Sequence, residues 1–206
     1  MKNKFILISM RQDYFYNKKE LRFAIDTKLI DWVLTLGFKP ILVTDLETLN
    51  FFSKQELLKI QGILLSGGND IEKKSLRYKI EKRLADISKK KKIPLLGLCH
   101  GLQFINFYEG GSLKKINNHV SVNHVIKSEN DYPSKVNSFH DFSIKKLGKN
   151  LRVISTSQDG EIEAISHKKY NWLGWMWHPE RDKKFDKKLI KIARKFFSES
   201  RNKNYN

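Results

Sequence analysis

Strand-like and helix-like segments alternate along the first half of the chain, and this alternation limits the fold more than any other feature. Short apolar runs predict strands at Phe5–Ser9, Ile41–Val43, Gly62–Leu65 and Ile93–Leu98. Helices are predicted between and after them, at Glu20–Leu36, Lys54–Ile60, Lys73–Lys90 and Leu102–Tyr108. Because these strands are apolar throughout, they suit a parallel sheet that helices cover on both faces. We therefore predict an α/β fold with a doubly wound, mostly parallel central sheet.

The second half of the sequence favours short strands joined by tight turns. Strands are predicted at Val120–Ile126, Leu151–Thr156, Ile162–Ser166 and Leu173–Trp177. An amphipathic helix over Lys183–Phe197 follows them. The length of 206 residues fits one domain, predicted over residues 1–200, and residues 201–206 are predicted to be a disordered tail.

The composition narrows the cellular setting and the class of partner. A net charge of +18 favours anionic partners such as nucleotides or phosphorylated metabolites, although a lysine-rich composition without functional meaning is an equal alternative. No helix-turn-helix or RNA-binding signature is present, so we predict no nucleic-acid partner. The single cysteine, Cys99, excludes a disulfide within the chain and favours the reducing cytoplasm. No run approaches the ~20 apolar residues that cross a bilayer, so no membrane contact is expected.

The segment Gly97–Gly101, with Cys99 at its centre, lies where a predicted strand gives way to a predicted helix. Glycines two positions before and after the cysteine permit a tight turn that lifts its side chain out of the sheet at the carboxyl edge. Open α/β sheets carry their sites at this edge, and a helix N-terminus stabilises a thiolate. We therefore predict that Cys99 is a catalytic nucleophile. The alternative is a buried cysteine that acts only as a small apolar residue.

His178 is the strongest candidate for the base that a cysteine nucleophile needs. It follows an apolar strand, and Glu180 lies two positions later, on the same side of an extended chain. Pro179 fixes φ between them. We predict that Glu180 orients His178 and that His178 faces Cys99. The alternative is an ordinary loop histidine beside a surface glutamate.

The loop Ser66–Asn69 ends the third predicted strand and supplies candidate donors for an oxyanion hole. Glycine amides can approach a developing oxyanion closely. We predict donation from the backbone N–H groups of Gly68 and of His100, the residue after the nucleophile. By itself, the glycine pair is equally an ordinary turn. A phosphate-binding loop is disfavoured because no Gly-Lys-Ser/Thr sequence follows.

Several ordered blocks extend these motifs over nearly the whole chain, from Phe5 to about Phe197. They are Leu64–Asp70, Pro94–Gln103, Val136–His140, Asp159–Ala164 and Gly174–Glu180. In this order the blocks resemble the class I glutamine amidotransferases, and within them the γ-glutamyl hydrolase branch. The resemblance implies a flavodoxin-like fold of the class I amidotransferase type, with additional short strands in the C-terminal half.

The same resemblance implies hydrolysis of a γ-glutamyl amide through a thioester. The favoured substrate carries its amide nitrogen on the phosphorus of a CDP group, and hydrolysis gives glutamate and cytidine diphosphoramidate for a surface polysaccharide. The expected partner is thus a small-molecule γ-glutamyl substrate, nucleotide-linked in this interpretation, and a homodimer is compatible with the family.

The resemblance also implies which residues contact the substrate. Gln103 and the segment Asn137–His140 are expected to hold the α-amino and α-carboxylate ends of the glutamyl group. The complete expected set is Gly67, Asn69, Gln103, Asn137, Ser138, Phe139 and His140. The alternatives are that Gln103 is a first-turn helix residue and that Asn137–His140 is a strand end.

No cofactor and no metal are expected. His119, His124 and His140 raise the alternative of a metal cluster, but neither a cysteine nor a close His-x-x-x-His spacing accompanies them.

Two departures from the hydrolase branch bear on the leaving group. His100 replaces the arginine that usually follows the nucleophile, and Ile71–Lys74 runs directly into the basic helix without the longer segment that contains a proline. Two alternatives to the favoured function stay open. One is another enzyme of the same chemistry, either a glutaminase subunit that feeds ammonia to a synthase or a hydrolase of a different γ-glutamyl compound such as γ-glutamyl-γ-aminobutyrate. The other is a non-catalytic binding protein on this fold.

Overall fold

The computed structural model describes residues 4–47, 49, 59–129 and 132–199. Its strands are β1 Phe5–Ser9, β2 Arg11–Phe15, β3 Glu20–Ala24, β4 Lys39–Val43, β5 Ile60–Leu65, β6 Leu95–Leu98, β7 Ser112–Lys115, β8 Val120–Ser128, β9 Lys135–Phe139, β10 Phe142–Lys146, β11 Leu151–Ser157, β12 Ile162–His167 and β13 Trp172–Trp175. Its helices are α1 Thr27–Thr35, α2 Leu76–Lys91, α3 His100–Tyr108 and α4 Lys187–Glu199, and a single 3-10 turn covers Tyr16–Lys18.

The central feature is a nine-stranded sheet in the order β4-β1-β5-β6-β13-β12-β11-β8-β9. Its first five strands are parallel to one another. The remaining strands pair in antiparallel fashion and continue the same sheet. The mostly parallel α/β sheet predicted from the sequence is therefore confirmed, together with the short strands of the C-terminal half.

Apolar side chains cover both faces of this sheet, as the continuous apolar strands predict. On one face Trp32 of α1 and Phe197 of α4 pack with Trp175 and Trp177, whose rings stack with centroids 5.4 Å apart. The other face packs against α2 and α3. Burial on both sides leaves the carboxyl edge of the parallel strands as the place where polar groups can gather.

The predicted helix over Glu20–Leu36 is wrong in its first part. Residues Glu20–Ala24 form a strand that pairs antiparallel with Arg11–Phe15, and helix α1 begins only after Asp26, whose carboxylate accepts the N–H of Lys28. The apolar residues at Leu21 and Ile25 match helical spacing, yet Leu21 is exposed. Asp26 caps the helix here, so the chain before it is free to pair as a hairpin.

Other boundaries moved by a few residues, and some strands went unpredicted. Helix α4 begins at Lys187 rather than Lys183, because Asp186 accepts N–H groups of the first turn. Strands β7, β9 and β10 were not predicted, although β9 contains most of the Asn137–His140 segment. The predicted helix at Lys54–Ile60 lies outside the described residues except for its end, where Ile60 opens β5, and the predicted tail lies outside them entirely.

Candidate active site

Cys99 occupies a strained turn between β6 and α3. Its φ of 48° and ψ of −100° are rare for a residue with a side chain. The turn is held by its neighbours, since the N–H of Cys99 donates to the carbonyl of Trp175 at 2.7 Å and its carbonyl accepts from Gln103 N at 3.1 Å. This is the geometry of a nucleophile elbow, in which the surrounding structure enforces an otherwise unfavourable backbone.

The two glycines that flank Cys99 are required by close packing. A Cβ on Gly97 would lie 2.4 Å from the carbonyl carbon of Gly101, and a Cβ on Gly101 would lie 2.4 Å from the carbonyl oxygen of Leu65. Such distances are far below van der Waals contact. The sequence-based interpretation of these glycines as requirements of a tight turn is therefore confirmed.

His178 lies buried beside Cys99, just after β13. Its Nδ1 donates to Glu180 Oε1 at 2.7 Å, since a carboxylate can only accept. Burial lowers the pKa of His178, but hydrogen bonds to Cys99 and Glu180 and the charges of those two groups together raise it to about 9. The structure thus brings the three predicted catalytic side chains together, in an arrangement that favours an imidazolium ion next to the sulfur.

Asn137 holds the backbone of His178 from strand β9. Its Oδ1 accepts the N–H of His178 at 2.9 Å, while its Nδ2 donates to the carbonyl of His178 at 2.7 Å and to Asp182 Oδ1 at 2.8 Å. The side-chain amide is fully used by these bonds. The prediction that the Asn137 side chain contacts substrate is therefore corrected: it positions His178.

The loop Ser66–Asn69 packs directly against the candidate catalytic histidine. A Cβ on Gly67 would lie 2.4 Å from His178 Cε1, so only glycine leaves room for the imidazole. The Arg77 guanidinium donates to the carbonyl oxygens of Ser66 at 2.6 Å, of Gly67 at 3.3 Å and of Gly68. Because the peptide between Gly67 and Gly68 is trans, the N–H of Gly68 points away from Arg77. This orientation suits the predicted oxyanion donor.

The side chain of His100 has a role that sequence reasoning missed. Its Nδ1 contacts the carbonyl of Asn69 at 2.9 Å and its Nε2 contacts Glu81 Oε2 at 2.9 Å. Burial raises the pKa of Glu81, but His100 and Arg77 outweigh it and lower this pKa to about 2. Both partners of His100 are therefore acceptors, which requires a proton on each ring nitrogen. The only sequence signal for this network was the i,i+4 spacing of Arg77 and Glu81 on α2.

The backbone N–H of His100 is a separate matter from its side chain. His100 is the first residue of α3, and the first N–H groups of a helix have no partner within it. This N–H and the positive end of the helix dipole meet at the turn that presents Cys99. The placement suits the predicted second oxyanion donor.

The other predicted substrate residues separate into two groups. Gln103 and Phe139 stay close to the catalytic side chains: Gln103 Nε2 donates to the carbonyl of Phe142 at 3.2 Å, and the Phe139 ring lies edge-on to His178 with centroids 5.9 Å apart. The side chains of Asn69, Ser138 and His140 are directed elsewhere.

Three corrections follow for that second group. The Asn69 amide binds the backbone of Gln12 in the hairpin, with bonds of 2.8 and 2.9 Å. The buried Ser138 hydroxyl donates to the carbonyl of His119 at 2.6 Å. His140 bonds the carbonyl of Phe142 through Nδ1, and its Nε2 faces Glu163. Each of these polar groups is committed to the protein itself, so none is free to bind a glutamyl group in the way predicted.

A sequence profile of one family, described as Peptidase C26, matches residues 8–180. The chain belongs to the Peptidase C26 family. It is therefore a hydrolase, and a cysteine nucleophile is typical of this family. The family match spans the cysteine turn, the glycine loop and the His178–Glu180 pair.

Individual proteins resemble the chain to different extents. A γ-glutamyl-CDP-amidate hydrolase from Campylobacter jejuni is 35% identical over 206 residues, covering 94% of this chain and 98% of its own length. The glutamine-hydrolysing subunit of a GMP synthase from Methanocaldococcus jannaschii is 31% identical over 130 residues, or 59% of this chain and 65% of its own. The similarity to the first protein thus extends over almost the whole of both chains.

Solved structures show the same fold. A glutamine amidotransferase from Thermotoga maritima superposes with a TM-score of 0.64 at 16% identity, covering 98% of this chain and 86% of that one. In the described part of the chain, every helix is too short or too polar to span a bilayer.

Proposed function

We propose that this protein hydrolyses γ-glutamyl-CDP-amidate to glutamate and cytidine diphosphoramidate, in the synthesis of a surface-polysaccharide phosphoramidate. The observation that carries the proposal is the strained Cys99 turn beside a buried His178–Glu180 pair. The substrate is inferred from the Campylobacter jejuni relative, which aligns with this chain over nearly its full length.

In the proposed reaction, the Cys99 thiolate attacks the γ-carbonyl carbon and the carbonyl oxygen becomes an oxyanion. Backbone N–H groups of Gly68 and His100 stabilise that charge, and one such donor is worth about 2.7–4 kcal/mol of barrier in a serine protease. His178 gives its proton to the leaving nitrogen as the C–N bond breaks and a thioester forms. His178 then takes a proton from water, which attacks the thioester and releases glutamate.

Glu180 keeps His178 in the orientation that these proton transfers require. Its bond to Nδ1 leaves Nε2 as the nitrogen that exchanges protons with the sulfur, the leaving group and water. Gln103 and Phe139, which stay beside the catalytic side chains, are the proposed contacts for the glutamyl group, and Gly67 lines its path.

Two arginines flank the proposed reaction centre and suit a diphosphate leaving group. The Arg181 guanidinium lies 4.8 Å above the Phe139 ring, next to His178. The Arg11 side chain packs against Gly68, and its guanidinium pairs with Asp13 at a half-exposed position. Guanidinium groups recognise phosphate oxygens in a two-pronged geometry, so these residues are proposed to bind the CDP moiety.

A substrate panel tests the proposal directly. The values of kcat/KM are compared for γ-glutamyl-CDP-amidate, glutamine and γ-glutamyl-γ-aminobutyrate, with the Cys99→Ala protein as the inactive reference. We expect the nucleotide substrate to be preferred, and we expect Arg181→Gln to weaken this substrate while leaving the turnover of glutamine nearly unchanged. Equal turnover by the Cys99→Ala protein would refute covalent catalysis, and preference for glutamine would refute the nucleotide substrate.

A glutaminase component of a larger synthase is the second candidate, and the similarity to the archaeal GMP synthase subunit favours it. Such a protein uses the same cysteine chemistry but passes ammonia to a synthase. It predicts slow glutamine hydrolysis by the isolated protein that rises when a synthase partner is added. A non-catalytic role predicts no turnover of any γ-glutamyl amide, so the same panel separates all three functions.

A further inference from the structure

Three histidines and a glutamate converge in the antiparallel half of the sheet, away from the cysteine turn. His119 precedes β8, His124 lies within β8, His140 follows β9 and Glu163 lies in β12. One ligand-type atom from each residue lies within 4.8 Å of all the others. His119, His140 and Glu163 are 2%, 3% and 0% exposed. The prediction of no metal cluster, which relied on spacing in the sequence, is therefore corrected as to the grouping of these histidines.

The inward-facing atoms of this cluster lack partners. Among the described residues, His119 Nδ1, His124 Nε2, His140 Nε2 and both carboxylate oxygens of Glu163 are buried without a hydrogen bond. Buried polar atoms are almost always paired, so each exception calls for an explanation. Several such atoms pointing at one another indicate a shared, positively charged ligand.

The outward-facing nitrogens of two of the histidines are already engaged. His119 Nε2 bonds Asp159 Oδ2 at 2.8 Å, and His140 Nδ1 bonds the carbonyl of Phe142 at 3.0 Å. Since both partners accept, these nitrogens carry the protons, and the lone pairs of the opposite nitrogens face the cluster. A carboxylate or carbonyl behind each imidazole is the usual way in which proteins orient metal-binding histidines.

We propose that His119, His124, His140 and Glu163 bind a zinc ion. Three imidazoles and a carboxylate form a donor set that zinc accepts with four-coordinate, tetrahedral geometry. Zn–N and Zn–O bonds of about 2.0–2.1 Å place tetrahedral ligand atoms about 3.3 Å apart. Glu163 Oε1 already lies 3.5 Å from His140 Nε2 and 3.8 Å from His119 Nδ1, so small side-chain movements complete the site.

The charges of the site also match a divalent cation. Glu163 coordinates and Asp159 stands behind His119, so two carboxylates balance the two charges of zinc. Four protein ligands leave no coordination position for water, which is the pattern of a structural rather than a catalytic zinc. The ion is therefore proposed to hold strands together, not to take part in hydrolysis.

The strands that the ion would join include the one that positions His178. The carbonyl of His119 accepts from Ser138 Oγ and from the N–H of His140, so the ligands sit at both ends of the segment that contains Asn137. Zinc would thus fix β9, from which Asn137 holds the backbone of His178. This inference does not depend on the identity of the γ-glutamyl substrate.

The rival explanation is an internal ion pair without metal. A protonated His119 or His140 could neutralise Glu163 at the observed separations of 3.8 and 3.5 Å. It would leave His124 Nε2 and one further imidazole nitrogen without a partner among the described residues. Zinc satisfies all four ligands at once, and for this reason the geometry favours the metal.

The test uses the full chain without a polyhistidine tag. Metal content is measured by mass spectrometry on the purified protein, then again after removal with a chelator and reloading with Zn²⁺. We expect one zinc per chain, and we expect the melting temperature to rise on reloading. Co²⁺ in place of zinc should give the strong visible absorption of a tetrahedral site, a readout independent of enzymatic activity.

Variants identify the ligands. His124→Ala and Glu163→Gln should lose stoichiometric zinc, and Asp159→Asn should weaken zinc affinity about 10–100-fold by releasing His119. His167→Asn is the matched control, because His167 is also a buried histidine but bonds the N–H groups of Lys169 and Tyr170 instead. Its zinc content should equal that of the parent.

Two results would overturn the proposal. One is a parent protein that binds no zinc after reloading and shows no thermal shift, which would support the internal ion pair. The other is equal loss of zinc in the His167→Asn control and in the cluster variants. If a cluster variant fails to fold, the Co²⁺ spectrum and the reloading of the parent protein decide the question alone.

Discussion

The protein buries two groups of histidines that differ in how their nitrogens are paired. In the group near Cys99, both ring nitrogens of His100 have acceptors, and His178 contacts Glu180 at 2.7 Å and Cys99. In the group around Glu163, the nitrogens that face inward have no hydrogen-bond partner within the described part of the chain. Similar side chains at similar depth therefore serve different purposes: the first group manages protons, whereas the second awaits a cation.

The difference also separates stability from catalysis. The carboxylate of Glu81 accepts from Ser9 Oγ and Arg77 Nε at 2.9 Å each as well as from His100, so the network that fixes the glycine loop is satisfied by protein atoms alone. The Glu163 cluster requires something from outside the chain. Variants in the first group should therefore act without regard to metal, and the predictions below test that separation.

The largest expected effect comes from removing the proposed nucleophile. Cys99→Ala should lower kcat/KM for a γ-glutamyl amide by at least about 10³-fold, as the loss of a nucleophile from a catalytic triad does. Zinc content should stay at the parental value, because no ligand of the Glu163 cluster is touched. Steady-state kinetics and metal analysis on one preparation check both points, and substantial residual turnover would contradict the proposed mechanism.

The next largest effect is on stability. Glu81→Gln leaves the buried Arg77 and His100 without their counter-charge, so the free energy of unfolding should fall by about 3–5 kcal/mol. Denaturant titration measures it. Lys82→Gln on the same helix is the control, since it breaks only an exposed ion pair with Asp86 and should cost no more than about 0.5 kcal/mol. A loss for Glu81→Gln as small as the control would show that this network does not hold the loop.

The catalytic group was predictable from the sequence because its signals are local. Gly97 and Gly101 bracket Cys99 within five residues, and His178 and Glu180 are two positions apart, so strand ends and turn chemistry suffice to find them. The meeting of these two distant segments follows from the parallel pairing of β6 with β13, which sets Leu98 beside Trp175.

The zinc-type cluster was not predictable in this way. Its ligands are spread from His119 to Glu163, and they meet only because β8 folds back on β9, with His124 opposite Val136, while β12 lies across β11. Likewise the hairpin at Glu20–Ala24 was missed, since apolar spacing in a short segment satisfies a helix and a strand equally well. Long-range pairing decides both cases.

Asn137 links the two groups, and its removal should have an intermediate effect on activity. Asn137→Ala releases the backbone of His178, and a displacement of about 1 Å at a catalytic group can cost roughly 10²-fold in rate. We expect kcat to fall by about that factor with little change in KM. Ser138→Ala is the matched control on the same strand, because Ser138 contacts the carbonyl of His119 and not His178. Equal losses in the two variants would indicate damage to the strand rather than misplacement of His178.

The smallest effect, and the sharpest probe of the Cys99–His178 contact, is a change in a pKa. His178 has a pKa of about 9, above the ordinary 6.5, because Cys99 and Glu180 favour its protonated form despite burial. The imidazolium should therefore persist through neutral pH and lose its proton only as the pH rises through 9. Above that pH, kcat/KM should fall, since no proton is left for the leaving nitrogen.

Removing the sulfur reverses part of this shift. In Cys99→Ala the hydrogen bond and the charge of Cys99 are gone, burial is unchanged, and the pKa of His178 should drop by about 1–3 pH units. Titration of the imidazole resonances by NMR measures it, with His167 as an internal reference that Cys99 does not touch. An unchanged pKa for His178 would mean that Glu180 alone sustains the imidazolium, and the sulfur and the imidazole would then not act as a pair.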